Sequence, residues 1–300
     1  MVEQSAERVI LEQKQEFDPS QIANELEVGV EVVRAAIDNL RSRGFSLVDS
    51  GGRVVRSRMP IWGEVYDVSS LVDPKHLHFG VMGDTHLADK KERTDLLNKY
   101  YDTCEAEGIK LVLNVGDLTT GTGVYRGQEV ELKCFGQEDQ IQYAIDNYPA
   151  RKGITTVAIS GNHDLRGYET GGVDPLVQIA ARRKDIVYIG QMWGKADMHG
   201  VQVELLHPSG KQAYALSYKP QRAINARTEL PDVLAYGHYH TAFYMYYRGV
   251  HFLQAPCFKD EGIFEKRNGF NSVLGGWIVE ATIGENGRLD KFKPELLTYK

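Results

Sequence analysis

Seven residues with acidic, amide or imidazole side chains stand at or near the ends of apolar stretches of the chain. They are Asp84, His86, Asp117, Asn162, His207, His238 and His240. Carboxylates, imidazoles and an amide oxygen, with no thiolate among them, suit borderline divalent ions such as Mn²⁺, Fe²⁺, Ni²⁺ or Zn²⁺. Such a set exceeds what one ion needs but suffices for two if one carboxylate bridges, and two ions roughly 4 Å apart clamp a phosphoryl group for in-line displacement. The residues therefore predict a two-metal centre for phosphoester chemistry.

The order of the motifs is more specific than any one of them. Asp-x-His at 84–86 is followed by Gly-Asp at 116–117, Gly-Asn-His-Asp at 161–164, a histidine after a strand, and Gly-His-x-His at 237–240. In this order the chain resembles the calcineurin-like metallophosphoesterases over roughly residues 78–258. The resemblance implies an α/β fold, built as a four-layer αββα sandwich, and a metal-dependent phosphoesterase activity.

The resemblance also implies how the ligands divide between two divalent ions, with Mn²⁺ as the first expectation. One ion takes Asp84, His86, Asp117 and His240, and the other takes Asp117, Asn162, His207 and His238, so that Asp117 bridges. A water between two dications is largely hydroxide near neutral pH, and this hydroxide would be the nucleophile for in-line attack at phosphorus.

Histidines outside these motifs need a separate assignment. His207 is chosen because of its order and spacing between Asn162 and His238, where His199 is the competing candidate. The remaining histidines of this kind are expected to be structural or surface residues: His76, His78 and His251.

His163 and Asp164 follow the ligand Asn162 and are the predicted catalytic residues. By the resemblance, His163 stabilises developing charge or protonates the leaving oxygen; the alternative is a histidine that only hydrogen-bonds beside the ligands. In many relatives an acid three residues beyond the Gly-Asp aspartate orients this histidine. Thr120 occupies that position here, so Asp164 is expected to substitute.

The residues around the motifs bear on the substrate. Protein phosphatases carry an Arg-Gly immediately after their extended Gly-Asp motif. No Arg-Gly stands at that position here, which disfavours a protein phosphatase. Residues 123–129 and 161–166 resemble the small, exonuclease subunit of archaeal D-family DNA polymerases, and residues 84–87 resemble Mre11-type nucleases. Arg126, Arg166 and Tyr239 are candidate substrate-binding residues. Six aromatic residues between 236 and 247 are candidates for base stacking, and the alternative is that they form the core of a sheet. They are Tyr236, Tyr239, Phe243, Tyr244, Tyr246 and Tyr247.

Three functions remain open from the sequence. The first is a DNA or RNA phosphodiesterase, and the second is a hydrolase of cyclic nucleotides, nucleotides or a small phosphomonoester. A pocket closed by the insert at 119–140 would favour the small substrate, and an open groove would favour the polymer. The third is a non-catalytic accessory subunit of a nucleic-acid enzyme, which the complete ligand set disfavours.

At 300 residues the chain is long enough for one large domain and a small one. Residues 5–16 and 21–27 predict two helices, and a third predicted helix carries Val32, Val33, Ala36, Ile37 and Leu40 and ends at Gly44. Residues 45–56 predict two strands around a Gly-Gly turn. This order resembles a winged helix-turn-helix over residues 1–58, followed by a linker at 59–75 and the metallophosphoesterase domain at 76–300.

A winged helix-turn-helix would present arginines to nucleic acid: Arg34, Arg41, Arg43, Arg53 and Arg56. The alternatives are a solvated face or a surface for homodimerisation or another protein partner. The net charge of −6 argues against nucleic-acid binding by bulk electrostatics, although a local basic stripe is compatible with it.

Apolar strands alternate with helices after residue 76. Strands are predicted at 78–82, 109–115, 155–159, 201–206, 233–236, 244–247 and 251–253, with a helix at 93–107. The first three end in the chemical motifs, which should converge at one edge of a sheet. No membrane span or secretory signal is predicted, and three widely spaced cysteines, Cys104, Cys134 and Cys257, suit a cytoplasmic protein.

Overall fold

The described N-terminal part of the computed structural model contains helical residues at 5–7 and 9–10, two helices after them, and a small antiparallel sheet. The structure describes residues 5–7, 9–10, 16–42, 47–56, 65–171, 174–269 and 271–300, and residues 5–7 and 9–10 are helical. The elements that follow are β1 (Glu16–Phe17), α1 (Pro19–Glu25), α2 (Val30–Ser42), β2 (Leu47–Ser50) and β3 (Arg53–Arg56). The strands pair antiparallel in the order β1-β3-β2.

Several boundaries in this part differ from those predicted, among them the end of α1, which lies at Glu25 and not at Glu27. Helix α1 begins at Pro19 and not at residue 21, because the side chain of Asp18 caps it by accepting from Ser20 N at 2.8 Å. Glu16 is a strand residue and not the end of a helix, since it pairs with Val55 of β3. The predicted end of the third helix at Gly44 lies outside the described residues, and the winged helix-turn-helix interpretation stays a prediction.

The second half of the predicted linker contains a short strand. Residues Val65–Asp67 form β4, which pairs in parallel with Trp193–Met198, and a short 3₁₀ turn at Ser69–Leu71 follows. Val68 is fully buried in the central core. No strand was predicted here because all three residues of β4 are exposed, so no alternation of polar and apolar residues marks the strand.

Two six-stranded mixed sheets form the large domain. The first has the order β15-β14-β5-β6-β7-β8, and the second has the order β12-β13-β11-β10-β9-β4. The strands of the first sheet are β5 (His76–Met82), β6 (Leu111–Asn114), β7 (Thr155–Ser160), β8 (Ile186–Gln191), β14 (Leu274–Ile283) and β15 (Leu289–Tyr299). Those of the second, besides β4, are β9 (Trp193–Met198), β10 (Val201–Leu206), β11 (Val233–Tyr236), β12 (Phe243–Tyr247) and β13 (Val250–Gln254).

Six helices accompany these strands in the part of the domain that the structure describes. They are α3 (Thr94–Ala106), α4 (Gln137–Asn147), α5 (Asp164–Gly171), α6 (Pro175–Arg182), α7 (Tyr218–Asn225) and α8 (Ile263–Asn268). A further 3₁₀ turn spans Gln128–Glu131 within the insert after β6. No helix in the described part of the chain is long and apolar enough to cross a membrane.

The alternation of side chains along the strands explains the layers. Leu111 and Leu113 point into the core between the two sheets, while Val112 lies between them on the opposite face and packs with α3, α4 and α6. On the far side of the second sheet, Ile224 of α7 packs against Leu234 and neighbouring strand residues. The predicted four-layer αββα sandwich is therefore confirmed, and both of its sheets can direct loops to a common end.

Candidate metal centre

The predicted ligands follow parallel strands of both sheets. Asp84, Asp117 and Asn162 come after β5, β6 and β7, which are neighbours in the first sheet. His207 and His238 come after β10 and β11, which are neighbours in the second. Because parallel strands end at the same edge of a sheet, each sheet contributes its ligands at one edge, and the two edges meet.

The backbone at the predicted ligands is unusual. Five of them have positive φ angles: Asp84 (51°), His86 (44°), Asp117 (53°), His238 (78°) and His240 (52°). Side-chain-bearing residues in this region cost of order 1–3 kcal/mol each and collect at functional sites. Gly161 allows the loops to approach closely, since a Cβ there would collide with the backbone and carboxylate of Asp117.

The first cluster contains Asp84, His86 and His240. His86 Nε2 lies 2.9 Å from His240 Nε2, and Asp84 Oδ1 lies 3.4 Å from His240 Nε2 and 3.9 Å from His86 Nε2. One ligand atom from each residue falls within 4.8 Å of the others, so a single ion could contact all three.

The second cluster contains Asp117, His207 and His238, with Asn162 beside it. His207 Nε2 lies 3.2 Å from Asp117 Oδ2 and 3.1 Å from Asn162 Oδ1. The same Asp117 oxygen is 3.9 Å from His86 Nε2 in the first cluster. Asp117 therefore stands between the two clusters, where a bridging carboxylate belongs.

Backbone contacts fix the orientation of these side chains. His207 Nδ1–H donates to Val115 O at 2.8 Å, and His238 Nε2–H donates to Gly210 O at 3.1 Å. The opposite nitrogen of each ring is thereby left as the acceptor that could bind a metal. The Asp84 carboxylate accepts from His238 N at 2.9 Å, and Asp117 Oδ1 accepts from His163 N at 2.8 Å.

The buried carboxylates of the centre need positively charged partners. Burial opposes charge on His207, but the Asp117 carboxylate raises the pKa of His207 to about 9. Burial and His207 lower the pKa of His238 to about 4. Within the described residues, the ion pairs of Asp84 and Asp117 are with histidines alone.

The chemistry of the predicted ligands fits divalent ions. Buried carboxylates require compensating charge, which the surrounding histidines supply only by taking up protons. His86 Nδ1 is buried without a hydrogen-bond partner, so its Nε2 is the nitrogen directed at the cluster. The residues present therefore fit two divalent cations that share Asp117.

His163 is oriented by a backbone oxygen. Its Nδ1–H donates to Thr120 O at 2.7 Å, and its ring meets the edge of His86 with centroids 4.5 Å apart. This corrects the expectation that Asp164 orients the ring. Thr120 takes over the position of the usual acid, but it acts through its carbonyl group.

Asp164 forms hydrogen bonds with both the loop after β6 and the loop after β7. Its carboxylate accepts from Leu118 N, Thr119 N, Thr119 Oγ1 and Gly161 N, at 2.8–3.1 Å. Burial and the nearby Asp117 carboxylate raise the pKa of Asp164 to about 7. These contacts make it a positioning residue for the loops that carry Asp117 and Asn162.

The structure places His207 among the predicted ligands and the other assigned histidines away from them. His207 is buried among the ligands, whereas its competitor His199 is exposed, with Nε2 at 3.3 Å from Val72 O. His76 is exposed, and His78 lies 3.4 Å from Glu107. His251 stacks on Phe292 with ring centroids 4.1 Å apart.

The predicted substrate-binding residues occupy different settings. Tyr239 touches the centre directly, since its ring lies 5.0 Å from that of His238 and its hydroxyl accepts from Lys219 Nζ at 2.8 Å. Arg166 donates from Nε to Gly123 O at 2.9 Å, which places it against the loop after Asp117. Arg126 is exposed on the insert.

The aromatic run splits between core and surface. Tyr236 is buried, and Phe243 and Tyr247 pack in the same apolar cluster, so these rings are sheet core. Tyr244 and Tyr246 point outward, and each contacts the ring of His251.

The N-terminal arginines are described only in part. Arg34 lies 3.8 Å from Asp49, and Arg53 lies 3.0 Å from Glu16. Arg43 and the side chains of Arg41 and Arg56 lie outside the described part of the chain. The predicted nucleic-acid surface here stays a prediction.

Comparison with known families decides the class of protein. The family model for calcineurin-like phosphoesterases matches residues 77–276. The chain belongs to the calcineurin-like phosphoesterase family. Membership confirms the predicted family and implies divalent metal ions, for which the two clusters of this calcineurin-like phosphoesterase are the candidate ligands.

The curated relatives of this calcineurin-like phosphoesterase include archaeal polymerase subunits. The DNA polymerase II small subunit of Archaeoglobus fulgidus is 28% identical over 223 residues, which is 61% of this chain and 44% of the relative. The protein of the same name from Methanocaldococcus jannaschii is 26% identical over 217 residues, 60% of this chain and 36% of the relative. The aligned parts thus cover less than half the length of these relatives.

Solved structures with a similar fold have low sequence identity. An archaeal phosphodiesterase aligns with 74% of this chain and 100% of its own, at 14% identity and a TM-score of 0.42. A Vps29 variant from Entamoeba histolytica aligns with 75% of this chain and 100% of its own, at 16% identity and a TM-score of 0.36.

The sequence interpretation missed Lys219. Its Nζ contacts both Tyr239 Oη and Ser209 O, at 2.8 and 3.4 Å, and so joins α7 to the Gly-His-x-His loop. A signal for it was present: residues 207–228 contain four Lys or Arg and no Asp or Glu, in a chain of net charge −6.

Proposed function

We propose that this calcineurin-like phosphoesterase is a dinuclear-metal phosphodiesterase that cleaves DNA or RNA. The observation that carries the proposal is the pair of carboxylate–histidine clusters with Asp117 between them. Asp84, His86, Asp117 and His240 would hold one ion, and Asp117, Asn162, His207 and His238 the other. Mn²⁺ is the proposed metal, and Fe²⁺, Ni²⁺ and Zn²⁺ are the alternatives that the same thiolate-free ligands suit.

The chain's own groups define what each part of the centre does. Divalent ions bound there would supply positive charge against a phosphoryl group and lower the pKa of water. His163 keeps Nε2 free, since its Nδ1–H is held by Thr120 O. In the imidazolium form of the ring, the Nε2–H would donate a proton, or a hydrogen bond, to the leaving oxygen. Asp164 keeps the loops of Asp117 and Asn162 in register.

Two observations support a polymer over a small substrate. Asn162, His163, His238 and His240 are partly exposed, so the reacting side of the centre opens to solvent. The matched relatives are named as DNA polymerase subunits, although the aligned parts cover less than half of them. The complete set of candidate ligands supports an enzyme over a non-catalytic accessory subunit.

The N-terminal part is proposed to hold the polymer or a protein partner. Residues 1–58 would form this unit, and the metallophosphoesterase domain would begin near β4. Arg34 and Arg53 are about half exposed, and their acidic partners are too, so these ion pairs are weak enough to exchange for phosphate.

The proposal is tested by Mn²⁺-dependent hydrolysis of three substrates side by side. These are bis-p-nitrophenyl phosphate, p-nitrophenyl phosphate, and end-labelled single- and double-stranded DNA. DNA cleavage that is lost in Asp117→Ala and retained in the exposed control Asp146→Ala supports it. Hydrolysis of only the small esters would indicate a nucleotide or phosphomonoester hydrolase, and no hydrolysis at all would indicate an accessory subunit.

A further inference from the structure

The segment that follows His207 is held against the metal centre. We call residues 208–222, the loop after β10 and the first part of α7, the rim segment. His238 Nε2 donates to Gly210 O at 3.1 Å, Gln212 Nε2 donates to Thr241 Oγ1 at 2.6 Å, and Lys219 Nζ donates to Tyr239 Oη at 2.8 Å. All three partners lie in the loop that carries His238 and His240. The exposed side chains of the rim segment therefore stand at the edge of the centre.

Those exposed side chains are aromatic and basic. Tyr214 is fully exposed and Tyr218 is 55% exposed, while Lys211 and Arg222 are also exposed. Tyr218 and Arg222 are four residues apart in α7, so they share one face of the helix. No acidic residue occurs from 207 to 228, which makes the segment a basic stretch of an acidic chain.

Exposed aromatic rings beside basic side chains suit a specific kind of ligand. Rings that stand free in water can stack on unpaired bases, and neighbouring cations can contact the phosphates between them, whereas the bases of a duplex are hidden in its stack. We infer that the rim segment binds a single strand of nucleic acid and leads it to the metal centre. Tyr214 and Tyr218 stack on bases, and Lys211 and Arg222 contact phosphates. The inference rests on the proposed function, because it names the form of polymer that the centre receives.

Binding without cleavage tests the inference directly. The probe is a fluorescein-labelled oligothymidylate, and its anisotropy is followed with the full chain in EDTA, so that no hydrolysis occurs. Lys211→Ala/Tyr214→Ala is expected to weaken binding by about tenfold or more, and to make its dependence on salt shallower. Tyr66→Ala/Lys152→Ala, which removes an exposed ring and an exposed lysine elsewhere, is the matched control and keeps wild-type affinity.

Further arms separate stacking from a general loss of structure. Tyr214→Trp keeps a ring and is expected to retain binding, and labelled oligouridylate is expected to bind as oligothymidylate does, because phosphates and bases are common to both. A duplex of equal length is expected to bind more weakly. Equal affinity of wild type and Lys211→Ala/Tyr214→Ala, equal losses in the control pair, or preference for the duplex would overturn the inference.

The failure of this inference is distinguishable from that of the proposed function. Wild-type protein with Mn²⁺ that hydrolyses bis-p-nitrophenyl phosphate but cuts no oligonucleotide contradicts the proposed function. Wild-type protein that cuts the oligonucleotide, with an unchanged kcat/KM in Lys211→Ala/Tyr214→Ala, contradicts the rim segment alone.

Discussion

The Nδ1–H of His163 donates a hydrogen bond to the backbone oxygen of Thr120 across 2.7 Å. The acceptor is a carbonyl group, so the identity of the side chain at residue 120 does not determine the contact. This arrangement directs Nε2 away from Thr120, and in the imidazolium form the Nε2–H would be the proton donor to the leaving oxygen.

The hydrogen bond between His163 and Thr120 predicts that substitutions of these two residues change kcat to different extents. His163→Ala should lower kcat by about 10²- to 10⁴-fold, because the leaving oxygen loses its proton donor. Thr120→Ser keeps the carbonyl group and should leave kcat within about twofold, since the donor geometry is unchanged. Mn²⁺ binding, followed by calorimetry, should persist in both. A large loss of kcat in Thr120→Ser would contradict this account of the orienting contact.

Asp164 should stabilise the loops of the centre more than it acts in chemistry. Asp164→Asn places an NH₂ group among four donors and should lower the free energy of unfolding by about 1–3 kcal/mol. Urea denaturation in EDTA measures this change, and Thr119→Ser, which keeps its hydroxyl, is the matched control. Wild-type stability in Asp164→Asn would show that the four contacts do not hold the loops.

Asp174 should make the stability of the protein depend on pH. Burial raises the pKa of this helix-capping carboxyl, and hydrogen bonds from Ser160, Leu176 and Tyr188 only partly offset it. The folded state therefore keeps the proton that the unfolded chain releases near its ordinary pKa of 3.8. The contribution of Asp174 to stability is therefore greatest below that value and is lost as pH rises through the raised pKa.

The test of Asp174 compares the pH profiles of two variants. Asp174→Asn cannot ionise, so its unfolding free energy should fall less than that of wild type as pH rises above about 4. Asp146→Asn, on the exposed face of α4, should follow the wild-type profile. Parallel profiles for Asp174→Asn and wild type would be evidence against a raised pKa.

Metal removal should destabilise the fold. An ion that binds only the folded chain stabilises it by about 2.7 kcal/mol when present at a hundred times its Kd. Mn²⁺ should thus raise the Tm of the EDTA-treated wild type, and the rise should be much smaller in Asp117→Asn, which weakens the ligand shared by both clusters. The same rise in both proteins would mean that the ions bind elsewhere.

Strong local signals made much of this architecture predictable from the sequence. Strands β10 (Val201–Leu206) and β11 (Val233–Tyr236) are rich in apolar residues and end directly before His207 and Gly237, and their bounds were predicted as observed. The ligands follow because each motif combines a turn with a chemically distinctive side chain. Such information is local, and it survives in a single sequence.

Other features depend on contacts between distant parts of the chain. The bond from Leu118 N to Asp164 spans 46 residues, and Thr120 O reaches His163 across 43. The strand β4 forms because β9 supplies a partner, with no pattern of its own. The hydrogen bonds that hold the rim segment against the loop of His238 and His240 are likewise tertiary contacts. These features require the fold before they can be recognised.

The most direct test of the central claim is a titration of Mn²⁺ into metal-free protein while cleavage of end-labelled single-stranded DNA is followed. Cleavage is expected to appear as two ions bind per chain and to be absent in Asp117→Ala. Two bound ions with no cleavage of DNA at any Mn²⁺ concentration would contradict it.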